Sequence, residues 1–252
     1  MVTLTGFKTL SAFIFIIEGL AFGICQKKQY LCKEKTKKMA KKQKSLELLQ
    51  PILVKTFGLE RVHKPTSLLA DWLATTGELN QADQDLLQEA QEKLIENADI
   101  WNEEELKMHF LSFVIFLARF NKPICTYYER EIASMVGGVY MTCKTDMMLA
   151  KGIGELIEAP YFFLHEYKRE KKYSGDPIGQ MLGGMLIAQA QNNNGKPIYG
   201  SYVQGRFWFF SILEGKQYVI SKAFDASEKE EALQIVFILR KLKQIILERL
   251  MD

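Results

Sequence analysis

The sequence predicts an α/β protein in which a mixed central sheet is covered by helices on both faces. Two observations support this fold class. The 252 residues are 48% hydrophobic and 25% charged, which is the composition of a globular protein with a substantial core. The periodicity of the apolar residues gives the order helix, three strands, helix, three strands, helix, and this order favours a layered α/β architecture.

The charge of the chain is distributed unevenly. The formal net charge is +3, but residues 1–38 contain seven lysines and two glutamates and so carry +5. This leaves −2 for residues 39–252. By composition the body of the protein is therefore not a basic nucleic-acid-binding module, and any nucleic acid would have to bind at a local patch.

Residues 1–44 are predicted to be a leader that is flexible or dispensable. Residues 10–25 form an apolar run interrupted by Glu18, which is shorter than the roughly 20 residues of a membrane span. A signal or lipoprotein segment is the alternative, although the positive region before the run is the single Lys8. We expect a cytoplasmic protein without stable membrane association.

The cysteines and histidines argue against a zinc site. The four cysteines include no Cys-x-x-Cys pair, and the three histidines are far apart in the sequence. Free thiols in a reducing cytoplasm are the expected state.

The chain from residue 45 onward is predicted to consist of a helical extension and an α/β core. The extension, residues 45–98, has three expected helices: residues 45–59, a short helix from Thr66 or Ser67 to Leu73, and residues 82–98 after Asn80. The core, residues 99–252, has these expected elements: a helix over 103–120 with Asn102 as N-cap, strands 124–132 and 139–149 around the turn Val136-Gly137-Gly138, a strand over 160–168, a helix over 177–192, strands 198–203, 206–213 and 217–224, and a helix over 228–250.

The strand over 160–168 carries the candidate chemistry. Side chains alternate along a strand, so Glu166 and Lys168 are predicted to share one face with Phe162 and Leu164, while His165 faces away and is structural. Three other Glu-x-Lys triplets lie on a helix, in a charged loop and in a hairpin turn: Glu105/Lys107, Glu170/Lys172 and Glu214/Lys216. Only Glu166/Lys168 ends a hydrophobic strand and follows a strand-borne acid, Asp146.

Two carboxylates and a lysine at one strand end suit phosphodiester hydrolysis. Asp146 and Glu166 could hold Mg²⁺ (or Mn²⁺), because hard cations prefer oxygen ligands. Lys168 could orient or help to deprotonate the attacking water and stabilise the transition state. A strand-end salt bridge is the structural alternative, and the three residues meet only if their strands are neighbours.

Asp146 and the stretch Pro160–Lys168, followed by a helix with Gln180, resemble the PD-(D/E)xK nuclease superfamily. The stretch PYF-x-x-HEYK and the later IYG-x-YV-x-GRFWFF are similar to a group of bacterial proteins within it. This resemblance covers residues 100–252 and implies a restriction-endonuclease-like three-layer α-β-α sandwich. It also implies a metal-dependent nuclease acting on nucleic acid, DNA above all.

The resemblance implies further site residues. Asp146 and Glu166 would bind the metal and Lys168 would assist the water, with Gln180 and Glu103 as supporting residues. Thr145 stands where the superfamily often has proline. The sequence leaves open a nuclease-fold protein whose site is vestigial and which acts as a binding or scaffold module, and it leaves open a homodimer. Base stacking on Trp208 and its aromatic neighbours is a minor alternative to a place in the core.

Overall fold

The computed structural model describes residues 45–171 and 175–251. They form an α/β structure with a mixed, largely antiparallel open sheet and helices on both of its faces. This confirms the predicted fold class. The predicted leader over residues 1–44, with its apolar run and Cys25 and Cys32, lies outside the described residues.

The described residues contain six helices, which are numbered in chain order. They are α1 (Gln50–Phe57), α2 (Ser67–Leu73), α3 (Gln81–Asn97), α4 over residues 103–117, α5 (Pro177–Asn192) and α6 (Lys229–Ile245). Helix α4 is continuous but contains a π-helical turn, Lys107–Leu111, between α-helical Glu103–Leu106 and Ser112–Leu117. A second π-helical turn, Ile246–Leu250, follows α6.

Within residues 45–171 and 175–251, eight strands form one sheet. They are β1 (Glu60–Val62), β2 (Cys125–Val136), β3 (Val139–Ile153), β4 (Leu156–Lys168), β5 (Ile198–Gln204), β6 (Phe207–Glu214), β7 (Gln217–Ile220) and β8 (Phe224–Asp225). The spatial order is β1-β7-β6-β5-β4-β3-β2, and β8 pairs with β6. The β1/β7 and β4/β5 pairs are parallel and the others are antiparallel.

The sheet separates two hydrophobic cores. One core lies between the sheet and α2, α3, α4 and α6, and the other lies between the sheet and α1 and α5. Asp176 joins α1 and α5, because its carboxylate accepts hydrogen bonds from the backbone N–H groups of Gly179 (3.0 Å) and Gln50 (2.7 Å). One side chain thus satisfies N-terminal donors of both helices on that face.

Helix α5 connects β4 to its parallel neighbour β5. It has glycines at positions where other segments of the chain approach it closely. A Cβ atom on Gly179 would lie 2.3 Å from the Leu48 carbonyl oxygen. The Leu48 side chain fills the space beside Gly183. Close packing of the backbone before α1 therefore depends on these glycines.

Several predicted boundaries need correction. Helix α1 begins at Gln50 rather than at residue 45, and β2 continues to Val136 rather than ending at 132. The predicted strands 139–149 and 160–168 are longer and form a hairpin, since β3 continues to Ile153 and β4 begins at Leu156. Gly154 in its turn has a φ of +60°, which favours glycine. The predicted strand over 217–224 is two strands, β7 and β8. Helix α4 ends at Leu117 rather than Phe120, because Arg119 has a φ of +58°.

The predicted faces of Tyr161 and Phe162 are wrong, because a β-bulge interrupts the alternation. Leu149 pairs with Phe163, but Ala150 pairs with Tyr161, which leaves Phe162 as the extra residue. Phe162 therefore joins the α2–α3–α4–α6 core, while Tyr161 joins the other one. From Phe163 onward the predicted alternation holds.

The residues predicted as a helical extension contribute to the main sheet and core. Strand β1, which the sequence did not predict, pairs with β7. Trp72 of α2 is fully buried, and its indole N–H donates to the Ile238 carbonyl oxygen at 2.9 Å. Its ring also meets those of Tyr199 and Phe210 edge to face.

Within the described parts of the chain, no helix has both the length and the apolar character needed to cross a membrane.

Candidate active site

The candidate site lies where β3 and β4 stop pairing. Their ladder ends at Met147 and His165, one residue short of Asp146 on β3 and Glu166 on β4. Tyr167 lies beyond the last paired residue of β4, and its backbone N–H donates to Oδ2 of Asp146 at 3.0 Å. The Asp146 side chain thus lies between β3 and β4 at the point where their pairing ends.

A second break in the sheet lies on the other side of Asp146. In the β2/β3 ladder, Tyr128 pairs with Met147 and Arg130 pairs with Thr145, but the intervening Glu129 and Asp146 do not pair. Glu129 has a φ of +53°, a conformation that costs a non-glycine residue about 1 kcal/mol or more. Asp146 therefore has no register partner on either neighbouring strand.

Ion pairs hold Glu129 in this unusual conformation. Its carboxylate accepts hydrogen bonds from Lys107 Nζ at 2.8 Å and from Lys144 Nζ at 2.5 Å. These two lysines lower the pKa of Glu129, and Lys107 has the larger effect. Lys107 also bonds to Glu104 at 2.7 Å and lies 5.2 Å from the centre of the Tyr167 ring. This set was not predicted from the sequence. The turn at Gly137-Gly138 does put Glu129 opposite Asp146, but Lys107 comes from a separate helix.

Beyond the two breaks, the part of the β2/β3 hairpin nearest its turn no longer pairs with β4 and packs against α5 instead. We call this part, residues 130–136 and 139–145, the distal arm. Cys143 donates from Sγ to the Gln180 carbonyl oxygen at 3.6 Å, and Gln191 donates from Nε2 to the Ala133 carbonyl oxygen at 2.7 Å. The arm thereby forms one wall of the site.

Glu166 and Lys168 are brought together by the alternation of β4. Lys168 Nζ lies 2.6 Å from Oε1 of Glu166, and the side chains are only 8% and 4% exposed. The Glu166 carboxylate also lies beside that of Asp146, which is half-buried. The structure therefore places Asp146, Glu166 and Lys168 in one cluster that solvent reaches from the Asp146 side.

The electrostatics of the cluster follow from burial. Burial, with the adjacent Asp146 carboxylate, raises the pKa of Glu166 to about 8. Burial likewise raises the pKa of Asp146, against the opposing effects of the Tyr167 N–H and Lys168. Burial alone would lower the pKa of Lys168. The Glu166 and Glu103 carboxylates have the larger combined effect, so the pKa of Lys168 is raised. Burial therefore disfavours the charged form of both acids, whereas the neighbouring carboxylates favour the ammonium form of Lys168.

Glu103 approaches the cluster from the first turn of α4. Its Oε2 atom is 4.0 Å from Lys168 Nζ. The N-terminus of α4 is fixed by the predicted cap, since Asn102 accepts from the Glu105 N–H at 3.0 Å and the Glu105 side chain accepts from the Asn102 N–H at 2.8 Å. Glu103 is thus placed beside Lys168 by a rigid helix end.

Gln180 lies on α5, beneath the site. Its carbonyl oxygen accepts from Cys143, whose pKa is raised to about 12 by burial and by the Glu166 and Asp146 carboxylates. Its side-chain Oε1 is buried and has no hydrogen-bond partner among the described residues. The Gln180 backbone is therefore close to the cluster, but no contact joins its side chain to the three residues.

The donor set is compatible with a hard divalent cation. Within residues 45–171 and 175–251, no group of three or more His, Cys, Asp and Glu side chains is placed to hold a metal ion. Mg²⁺ is commonly held by one or two carboxylates, with waters and substrate phosphate as its other ligands. Asp146 and Glu166 fit that arrangement, because they are adjacent, mostly buried carboxylates that offer oxygen atoms.

His165 and Trp208 belong to the core and not to the site. His165 lies on the face opposite Glu166, as predicted, and its Nδ1 is hydrogen-bonded to the Ser201 hydroxyl. Burial lowers the pKa of His165 to about 3, so its ring is neutral. Trp208 and Phe210 are fully buried, which excludes the base-stacking role considered for them.

The buried neutral His165 leads to a prediction about pH. In the unfolded chain His165 takes up a proton near pH 6.5, whereas in the folded chain it does so only near pH 3. Between these two pH values, acid therefore favours the unfolded state. We expect His165 to cost about 2 kcal/mol of stability between pH 7 and pH 5. Urea denaturation of the wild type and of His165→Gln at both pH values measures this difference.

The exposed His63 provides a matched control, because His63→Gln should retain the full pH dependence of the wild type. A wild type and a His165→Gln variant that lose equal stability between pH 7 and pH 5 would contradict this account.

The fold and the site together define a class: an α/β protein with two adjoining carboxylates and a lysine at a break in its sheet. The sequence matches no protein-family model and no curated protein.

Proposed function

We propose that the protein is a Mg²⁺-dependent nuclease that hydrolyses phosphodiester bonds of DNA. The observation that carries the proposal is the convergence of Asp146, Glu166 and Lys168 at the point where β3 and β4 diverge. Of the four Glu-x-Lys triplets, this one alone ends a buried strand beside a second acid. A restriction-endonuclease-like fold, in which such a site lies on the central sheet, is part of the proposal.

The proposed roles follow from the charges of the side chains. Asp146 and Glu166 would hold Mg²⁺ (or Mn²⁺), which supplies positive charge next to the phosphate. The ammonium of Lys168 orients the attacking water and balances negative charge on the phosphate oxygens, so it does not take up the proton. The water oxygen bonds to phosphorus, the bond from phosphorus to the leaving oxygen breaks, and one water proton ends on that oxygen.

A second candidate function has one observation in its favour. The Glu166 carboxylate is already paired with Lys168 at 2.6 Å, so a cation lies beside it without a metal. A vestigial site of this kind would leave the protein as a binding or scaffold module.

Plasmid cleavage distinguishes the two functions. We expect the wild type to cut supercoiled or single-stranded circular DNA with Mg²⁺ or Mn²⁺ and not with EDTA. Lys168→Ala should be at least roughly a hundredfold slower, because it removes a preorganised charge from the reacting phosphate. The matched control is Lys216→Ala, which changes the lysine of an exposed Glu-x-Lys triplet in the turn between β6 and β7.

Absence of cleavage by the wild type with either metal, or equal cleavage by Lys168→Ala, would overturn the nuclease proposal. Circular dichroism of the variant establishes that it is folded.

A further inference from the structure

Tyr167 is the middle residue of the triplet Glu166-Tyr167-Lys168, and its ring is buried in the α2–α3–α4–α6 core. It nevertheless makes two hydrogen bonds to Asp146. Its backbone N–H donates to Oδ2 of Asp146 at 3.0 Å. Its phenol O–H donates to the backbone carbonyl oxygen of the same residue at 3.4 Å. Tyr167 therefore contacts both the carboxylate and the main chain of the acid on β3.

These two bonds matter because Asp146 has no register partner on β2 or on β4. A backbone polar group away from water costs free energy unless it is hydrogen-bonded, and Asp146 is half-buried. The phenol of Tyr167 supplies a donor to the Asp146 carbonyl oxygen at this interruption of the sheet. The main chain that carries the carboxylate is thus held by a side chain of the neighbouring strand.

Tyr167 itself is well fixed. It pairs with Val203 in the parallel ladder between β4 and β5. Its ring centroid lies 5.3 Å from that of His165, and Lys107 Nζ lies 5.2 Å from the centre of the ring. A side chain restrained by its own strand, by a core neighbour and by a residue of α4 is a firm support for Asp146.

We propose that Tyr167 is a positioning residue, which sets the place of the Asp146 carboxylate relative to Glu166 and Lys168. Because Tyr167 lies between these two residues in the chain, its bonds to Asp146 fix all three members of the cluster relative to one another. The inference rests on the proposed function, because it assumes that the carboxylate pair binds a metal. Residues that orient metal ligands commonly affect metal affinity and activity without contacting the metal.

Tyr167→Phe tests the proposal, because it removes the phenol O–H and keeps the ring and the backbone N–H. The matched control is Tyr127→Phe. The phenol of Tyr127 is also buried, and it donates to the carbonyl oxygen of Leu156 on β4 at 3.2 Å. Leu156 is at the far end of β4, about 30 Å along the strand from Glu166. Both variants lose a phenol hydrogen bond to a backbone carbonyl of the same sheet, at opposite ends of β4.

The first readout needs neither metal nor DNA. Hydrogen exchange of the backbone amide of residue 167, measured by NMR in the presence of EDTA, reports how well the Asp146 carboxylate is held against it. Tyr167→Phe should accelerate this exchange roughly 3- to 10-fold, the range that corresponds to one hydrogen bond. Tyr127→Phe should change it less than about twofold. A general loss of stability would instead accelerate exchange throughout the sheet.

The second readout is metal binding, followed by cleavage. Titration with Mn²⁺, monitored by electron paramagnetic resonance, should show an affinity roughly 3- to 10-fold lower in Tyr167→Phe and unchanged in Tyr127→Phe. At saturating Mn²⁺, kcat should fall in Tyr167→Phe while KM for DNA stays within about twofold. The phenol lies in the core and does not contact the substrate, so its loss affects the reacting geometry rather than substrate binding.

Unchanged exchange at residue 167 in Tyr167→Phe, or equal changes in both variants, would overturn the inference whether or not the protein cleaves DNA. Unchanged Mn²⁺ affinity in Tyr167→Phe, where the wild type binds the ion, would also overturn it. Altered exchange in Tyr167→Phe without cleavage by the wild type would refute the nuclease and leave Tyr167 as the support of Asp146. Cleavage by the wild type with unchanged exchange would do the reverse.

Discussion

Replacing Glu166 with glutamine is expected to reduce metal-dependent cleavage by roughly 10²- to 10³-fold or more, the range associated with loss of one preorganised group at a reacting centre. Glutamine has nearly the same shape as glutamate, so the buried position 4% exposed beside Lys168 is still filled. The change removes the charge that would face the metal. It also leaves Asp146 as the one acid of the pair.

The pH dependence of cleavage provides a second test of Glu166. Burial and the Asp146 carboxylate raise its pKa to about 8, so a proton competes with the metal below that pH. At a subsaturating Mg²⁺ concentration, cleavage by the wild type should therefore increase from pH 6 to pH 8. Glu214→Gln, in the exposed triplet after β6, should behave like the wild type. Full activity in Glu166→Gln would remove this residue from the proposed mechanism.

Trp72→Ala is expected to destabilise the protein by about 3–5 kcal/mol, the usual cost of truncating a fully buried aromatic residue. The indole contacts Tyr199 and Phe210 at centroid distances of 4.9 and 5.1 Å, and its N–H is bonded to Ile238. The alanine leaves a cavity at the centre of the larger core. Urea denaturation followed by far-ultraviolet circular dichroism measures the loss.

The same experiment determines whether residues 45–98 fold with the sheet. A single transition that shifts as a whole in Trp72→Ala is expected if α2 belongs to the core. Trp101→Ala, at a partly exposed tryptophan, is the matched control and should cost less than half as much. A loss below about 1 kcal/mol in Trp72→Ala would show that the helical segment contributes little to the core.

The sequence predicts the parts of the structure that depend on local patterns. The N-cap at Asn102 and the turn at Gly137-Gly138 have short-range signatures, and the structure confirms both. The pairing of Glu166 with Lys168 follows from two-residue alternation. Proximity of Asp146 to them required only that β3 and β4 be neighbours, and they are. The catalytic role of these residues stays a prediction.

Features that depend on the relation between strands were not predictable. The bulge at Phe162 reverses two side chains without any glycine or proline at that residue. Glu129 interrupts the β2/β3 ladder opposite Asp146, and its partner Lys107 comes from another element. Strand β1 is three mostly exposed residues and carries no hydrophobic pattern.

The two ladder breaks beside Asp146 have a consequence for the position of its side chain. Asp146 has no register partner on β2 or on β4. Its carboxylate accepts instead from the Tyr167 N–H at 3.0 Å, and the distal arm beyond it contacts α5. The position of this carboxylate beside Glu166 therefore depends on a direct contact with the backbone of β4.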